Sequence, residues 1–77
     1  MGEWISNSKG ELERTFQFKN FRAAIGFISQ VSLIAEKHNH HPRISVDFNK
    51  VTIQTISHDV NKLTDRDTKL IEAIDKI

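Results

Sequence analysis

The sequence predicts an α+β fold: a two-layer ββαββα domain whose four-stranded antiparallel sheet carries two helices on one face. Three observations predict it. Residues 3–18 and 44–53 alternate apolar and polar side chains around short clusters of turn residues. Each is followed by a segment of helical spacing, 21–38 and 65–77, entered through a capping residue. The 77 residues contain one proline and three scattered glycines, with no internal repeat, low-complexity tract or linker. Residues 1–77 therefore read as a single domain.

Glu3–Ser6 is a short strand candidate carrying the sole tryptophan, Trp4, which is expected to be buried in the hairpin rather than stacked on a ligand. Asn7-Ser8-Lys9-Gly10 is a turn. From Leu12 to Phe18, Leu12, Phe16 and Phe18 share one face and Glu13, Thr15 and Gln17 the other, with Arg14 interrupting the apolar face. Asn20 is placed to cap a helix running to about His38, and Asn39 to end it in the left-handed conformation. Phe21, Ala24, Ile25, Ile28, Val31 and Ala35 form the stripe expected to face the sheet. Phe27 and Ile34 lie off that stripe and predict a second apolar strip. Gly26 costs about 1 kcal/mol in a helix relative to Ala, which suggests close packing there. Ile44, Val46 and Phe48 alternate with Ser45 and Asp47, and Val51 and Ile53 continue beyond Asn49-Lys50, the expected two-residue turn. Thr64-Asp65-Arg66-Asp67 has capping-box spacing ahead of Leu70, Ala73, Ile74 and Ile77, a short amphipathic helix.

Composition narrows the function classes. Eleven Lys and Arg against ten Asp and Glu give a net charge of +1, spread evenly over the two halves, so no basic patch points to direct nucleic-acid binding. No apolar run approaches the roughly 18 residues of a membrane span, and no signal-peptide pattern opens the chain. Met1-Gly2 with Ser6 fits only the loose myristoylation pattern. Without cysteine there is neither a disulfide framework nor thiol catalysis, and a cytoplasmic protein is expected. A chain this short buries only about 60% of its unfolded surface and usually needs a staple. The remaining staples are a metal or a partner subunit, and the second apolar strip favours a homo-oligomer, most simply a twofold dimer.

All four histidines lie between positions 38 and 58. With Asn49-Lys50 as the turn, the extended ladder sets Pro42 opposite Ser57 and His41 opposite His58, with His40 adjacent, about 4.5–5.5 Å across the pair. Solvated loop histidines are one reading of this cluster. A metal site is another, but adjacent His40 and His41 point apart in an extended segment. Acid–base chemistry is the third, because histidine titrates near neutrality and two of them serve as donor and acceptor in one step. Ser57 beside His58 lacks the Gly-rich elbow of a nucleophilic serine.

Glu36, the His40-His41-Pro42 run, Phe48, His58 and Asp67, at these spacings, resemble the signature of pterin-4a-carbinolamine dehydratases. The flanking text Phe16-Gln17-Phe18-Lys19-Asn20-Phe21, Ala35-Glu36-Lys37 and Leu63-Thr64-Asp65-Arg66-Asp67 extends the resemblance from Trp4 onward. The resemblance implies dehydration of a 4a-hydroxytetrahydropterin to the quinonoid dihydropterin, in recycling of the tetrahydrobiopterin-type cofactor of aromatic amino-acid hydroxylases. It implies a four-stranded antiparallel sheet, a homo-oligomer (dimer or tetramer), and no metal or bound cofactor, the pterin being substrate. By the same resemblance the catalytic residues are His40, His41, His58 and Asp67. The substrate-binding segments are Asn39–His41 and Ile56–Asp59 (Ile56, Ser57, His58 and Asp59), with Glu36 beside them. The chain departs from the family in starting at the strand of Trp4, without the helix that often precedes it. It also has Asn61-Lys62-Leu63-Thr64 where Gly-Leu-Thr is common. Members of the family also act as non-enzymatic partners, one of them as a dimerisation cofactor for a homeodomain transcription factor, so an interaction protein on the same fold is the competing expectation.

Loss of water across C4a–N5 requires protonation of the departing hydroxyl and removal of the N5 proton. His58 and His40 are the expected pair for these transfers, with His41 positioning or sharing. Asp67, at the third position of a helix capped by Thr64, suits the cap as well as a direct role. Glu36 opposes the dipole at the end of the long helix, which favours a functional task such as orienting an imidazole.

Overall fold

The computed structural model describes residues 3–77, so Met1 and Gly2, and with them the acylation pattern, lie outside the described residues. The elements follow the expected order: β1 (Ile5–Ser6), β2 (Leu12–Gln17), α1 (Phe21–His38), β3 (Arg43–Asp47), β4 (Lys50–Thr55) and α2 (Asp65–Asp75). One open antiparallel sheet runs β1-β2-β4-β3, which makes β2 and β4 the central strands and joins the two hairpins through them. The first hairpin turns on Asn7, whose Oδ1 accepts from the backbone N–H groups of Lys9 and Glu11 at 2.9 and 3.0 Å. Gly10 supplies the left-handed residue at φ 80°.

Alternation along β4 decides the layering. Val51, Ile53 and Thr55 are buried, while Lys50, Thr52 and Gln54 between them are more exposed. Phe16 stands opposite Val51 on β2. Ala24, Phe27 and Val31 of α1 and Leu70 and Ile74 of α2 complete the core over that face. Arg14, the expected interruption of the apolar face, lies opposite Ile53. Its guanidinium donates to Asp75 at 2.9 Å and sits 4.5 Å from the centre of the Phe16 ring. The half-buried Trp4 indole donates to the same carboxylate at 2.9 Å and meets Phe16 edge-on.

Three expectations need correction. First, α1 is rolled about its axis relative to the stripe read from sequence. Phe27 is only 9% exposed and Ile34 packs against the core, whereas Phe21 is 51% exposed and Ile25 is exposed as well. The reason is aromatic: the Phe27 ring lies 4.7 Å from Phe16 and 5.0 Å from Phe18, a cluster that Phe21 in the first turn does not join. Second, Gly26 is exposed, and a methyl group there meets nothing within 4 Å, so it serves no close packing. Third, the turn of the second hairpin is Phe48-Asn49, because Val46 pairs with Val51 and Asp47 with Lys50. Asn49 is tied to the end of β2. Its Nδ2 donates to the Phe18 carbonyl at 2.8 Å, and its own carbonyl accepts from the Phe18 N–H at 2.9 Å. Lys50 thereby enters the ladder opposite Gln17, and Phe48 takes φ 54°.

The shift of register is two residues, so each strand keeps its inward and outward faces while the far end of the hairpin changes partners. Continuing the observed pairing from Arg43–Gln54 sets His40, not Pro42, level with Ser57. The expected His41–His58 and Pro42–Ser57 pairs do not form in the ladder, which ends at Arg43. Strand limits shift correspondingly: β1 is confined to Ile5–Ser6, β2 stops at Gln17, and β3 spans Arg43–Asp47.

The burial pattern separates two phenylalanines on one helix. Phe27→Ala should cost about 3–5 kcal/mol, as much as a core this small supplies, and leave most of the chain unfolded by circular dichroism at 25 °C. Phe21→Ala should keep the folded signal. Equal sensitivity of the two positions to urea would contradict the rolled helix.

Candidate active site

The end of α1 sorts the two adjacent histidines. Asn39 adopts φ 51°, its N–H donates to the Glu36 carbonyl at 3.2 Å, and the His40 N–H donates to the Ala35 carbonyl at 3.1 Å. This pair of bonds is the Schellman arrangement that closes a helix. It turns the chain so that His40 enters the protein, 9% exposed, while His41 remains exposed.

His40 enters toward Asp67. Thr64 caps α2, and Asp67 in the first turn returns its carboxylate to the Thr64 N–H at 3.0 Å, which completes the capping box. The same carboxylate, wholly buried, accepts three further bonds. Oδ1 lies 2.7 Å from His40 Nε2 and 2.6 Å from Thr55 Oγ1, and Oδ2 lies 2.7 Å from Ser57 Oγ. Burial pushes the Asp67 carboxyl upward, but the bonds from Thr55, His40, Ser57 and the Thr64 N–H outweigh it and hold the group at about 2. Asp67 is therefore an anion at neutral pH and accepts only. That assigns the proton on His40: Nε2–H donates to Asp67, and Nδ1 is left as the acceptor of the neutral ring. Ser57 spends its one hydroxyl hydrogen on Asp67, so the Thr64 hydroxyl, 2.7 Å away, donates to Ser57.

A second carboxylate–imidazole pair lies outside. Glu36 in the last turn of α1 is hydrogen-bonded to His41 Nε2, both side chains largely exposed. The imidazole that Glu36 meets is that of His41. The third histidine stands on the turn after β4, where the Ser57 N–H donates to the Lys62 carbonyl at 3.1 Å and Asn61 takes φ 55°. His58 and Asp59 are exposed there. Asp59 accepts from Arg66 at 2.7 Å, which lowers its carboxyl from the ordinary value, and the His58 side chain makes no hydrogen bond among the described residues.

Of the residues singled out in sequence, the structure unites His40, Asp67 and Ser57 in one network and Glu36 with His41. Asn39 is the left-handed residue between them, exposed at the surface. Ile56 and Ser57 are buried, so within the 56–59 segment the exposed side chains are His58 and Asp59. Sequence reading missed Thr55 and the accessory part of Thr64. Thr55 was within reach, since it shares the inward parity of Val51 and Ile53. A 220 Å³ cleft lined by Phe16, Phe18, Phe27 and Ile74 and a 350 Å³ groove lined by Lys37, His38 and Lys69 include none of His40, His41 and His58.

Comparison with known proteins bears on this constellation. A family model described as pterin 4 alpha carbinolamine dehydratase matches residues 1–77. The chain belongs to this family. A protein of Chloroflexus aggregans named "Putative pterin-4-alpha-carbinolamine dehydratase" is 41% identical over 75 residues, covering 97% of this chain and 80% of that one. A protein of the same name from Prochlorococcus marinus (strain MIT 9313) is 52% identical over 63 residues, covering 82% of this chain and 66% of its own length. A transcriptional coactivator/pterin dehydratase from Brucella melitensis superposes with a TM-score of 0.86 at 31% identity, over 96% of this chain and 78% of that one. A pterin dehydratase-like protein described as a RuBisCO assembly factor in the α-carboxysome shares the fold, with a TM-score of 0.81 at 17% identity, over 97% and 88% of the two chains.

The depressed Asp67 carboxyl carries a stability consequence in this pterin dehydratase fold. A group lowered from 3.8 to about 2 stabilises the native state above pH about 4 and loses that contribution as pH falls through 2. The shift corresponds to about 2 kcal/mol. Urea unfolding of the wild type should therefore weaken by about that amount between pH 4 and 2. Asp67→Asn should be destabilised at pH 7 and lack this part of the acid limb; parallel pH dependences for the two proteins would refute the assignment.

Proposed function

We propose that this chain dehydrates a 4a-hydroxytetrahydropterin to the quinonoid dihydropterin and water, by histidine acid–base catalysis, in recycling of a tetrahydrobiopterin-type cofactor. The observation that carries the reading is His40 held by a buried, ionised Asp67, beside exposed His41 and His58, in a member of the dehydratase family. In the reaction the C4a–O bond breaks, the N5–H proton leaves, the C4a=N5 double bond forms, and the hydroxyl departs as water after accepting a proton. One base and one acid are needed. His40, with Nε2–H committed to Asp67, offers Nδ1 for one transfer, and the solvent-facing His58 takes the other. His41, steadied by Glu36, binds or relays. Asn39, Ile56, Ser57 and Asp59 bring the two segments to the substrate, Ile56 and Ser57 through their backbone. The pterin is substrate and no metal or bound cofactor takes part, because proton transfer alone completes the reaction. A cytoplasmic location fits the cysteine-free sequence.

A binding role beside catalysis has two observations in its favour: Phe21, Ile25 and Leu33 of α1 are exposed, and the Brucella neighbour is described as a transcriptional coactivator as well as a pterin dehydratase. Purified protein should accelerate decay of the 4a-carbinolamine in stopped flow, with activity surviving exhaustive chelation. His40→Ala and His58→Ala should each lose about 10²–10⁴-fold while remaining folded. A double variant with wild-type rates, or a requirement for added zinc, would refute the mechanism.

For assembly we propose a twofold dimer through β3. With Phe27 covered inside one chain, the surface that favours association is this edge strand, whose outer backbone groups have no neighbouring strand among the described residues. Its sequence Arg43-Ile44-Ser45-Val46-Asp47 is self-complementary: antiparallel pairing of two copies about Ser45 sets Arg43 against Asp47 and Ile44 against Val46. Light scattering at micromolar concentration should report at least a dimer. Ser45→Lys, which opposes two like charges on the axis, should shift it toward monomer. A wild-type monomer would overturn this.

A further inference from the structure

The hydroxyl groups around Asp67 carry an inference that rests on the dehydratase reading only for its kinetic part. Thr55 is 1% exposed, at the last position of β4, and its hydroxyl stands 2.6 Å from the same oxygen, Oδ1, that receives His40. On the other oxygen, Ser57 at 2.7 Å and the Thr64 N–H at 3.0 Å complete the set. The capping box accounts for the Thr64 contact alone. It needs one carboxylate oxygen, and a threonine on a neighbouring strand adds nothing to it.

Thr55 does something else to the geometry. A carboxylate held at Oδ2 alone is free to rotate about its Cβ–Cγ bond and carry Oδ1 away from the imidazole. A second donor on Oδ1, delivered from the rigid central strand, removes that freedom. We propose that Thr55 is a positioning residue: with Ser57 it locks the plane of the Asp67 carboxylate, so that His40 keeps its proton on Nε2 and presents Nδ1 as the free acceptor. Oriented imidazoles in which a carboxylate selects the tautomer lose activity when that tautomer is lost, with the proton acceptor then facing the wrong way. The charged surroundings leave this task to the hydroxyls. Among the described residues Asp67 is the one carboxylate paired with His40; Glu36 is paired with His41, and Arg66 with Asp59, while His38 and His58 make no ion pair.

Thr55→Val removes the hydroxyl at nearly constant volume, and Thr55→Ser restores it. Nitrogen-15 spectra of the imidazoles should show His40 as the Nε2–H tautomer in the wild type and in Thr55→Ser, and as a mixture in Thr55→Val. The Asp67 carboxyl carbon should titrate near 2 in the wild type and higher in Thr55→Val. In carbinolamine dehydration kcat should fall about tenfold with KM within twofold, the size expected from one hydrogen bond to a charged group. A purely structural role would lower stability and raise the carboxyl titration but leave tautomer and kcat unchanged, and that result overturns the proposal. Should Thr55→Val not fold, Thr55→Ala gives the same readouts, and a wild-type His40 protonated on Nδ1 rather than Nε2 refutes the inference without any variant. A wild type without dehydratase activity removes the proposed function but leaves the spectroscopic arms decisive.

Discussion

A carboxylate sealed from water is tolerated only when donors replace its hydration, and the packing around Asp67 is organised by that requirement. Four donors reach it from three separate stretches of chain: the second residue after the long helix, the end of the central strand with the second residue beyond it, and the cap of its own helix. None can be moved without stranding a charge. The register of β4, the exit of α1 and the start of α2 are thus coupled through one side chain, and the group that ties these elements together also holds the His40 ring. Substitutions at the site will therefore be read correctly only when folding is measured beside any other readout.

The fold was legible because local signals agreed with one another. Asn20 as cap, Asn39 as the left-handed stop, the Thr64–Asp67 box and the alternation in β2 and β4 all appear where sequence chemistry places them. What sequence did not reveal depended on contacts between elements. The roll of α1 follows from Phe27 packing on the rings of Phe16 and Phe18, whereas a helical wheel sets Phe21 on the main stripe and Phe27 off it. The hairpin turn follows from Asn49 binding Phe18 across the sheet, a bond that no turn preference encodes. Gly26 looked like a packing residue because a glycine in mid-helix invites that explanation, and its surroundings are open.

The site shows the same division. The resemblance picked out His40, His41, His58, Asp67 and Glu36 as a group, and the structure sorts them into a buried pair, an exposed pair and a lone exposed histidine. The end of α1 turns His40 inward and leaves His41 outside. The displaced register brings Ser57 rather than Asp59 level with His40, and Ser57 is buried while His58 remains on the surface. Proximity of the two segments was legible from hairpin arithmetic even though the pairing was off by two residues, because a shift of two preserves which face each side chain occupies. Thr55 went unseen for a simple reason: inward-facing threonine in a strand reads as ordinary β-propensity until a buried charge is found beneath it.

The Arg14–Asp75–Trp4 junction gives the molecule an optical reporter. Trp4 is the sole tryptophan, its indole N–H is bound to the last turn of α2, and its ring lies against Phe16 of the core. Emission from this one fluorophore therefore senses docking of α2 on the first hairpin. The Asp67 network sits at the opposite end of that helix, about 12 Å away along its axis. Unwinding that begins at the C-terminal end of α2 will change the fluorescence before the histidines respond, and a perturbation confined to the histidines will leave it dark to them, so the two ends of one short helix can be followed separately in the same cuvette.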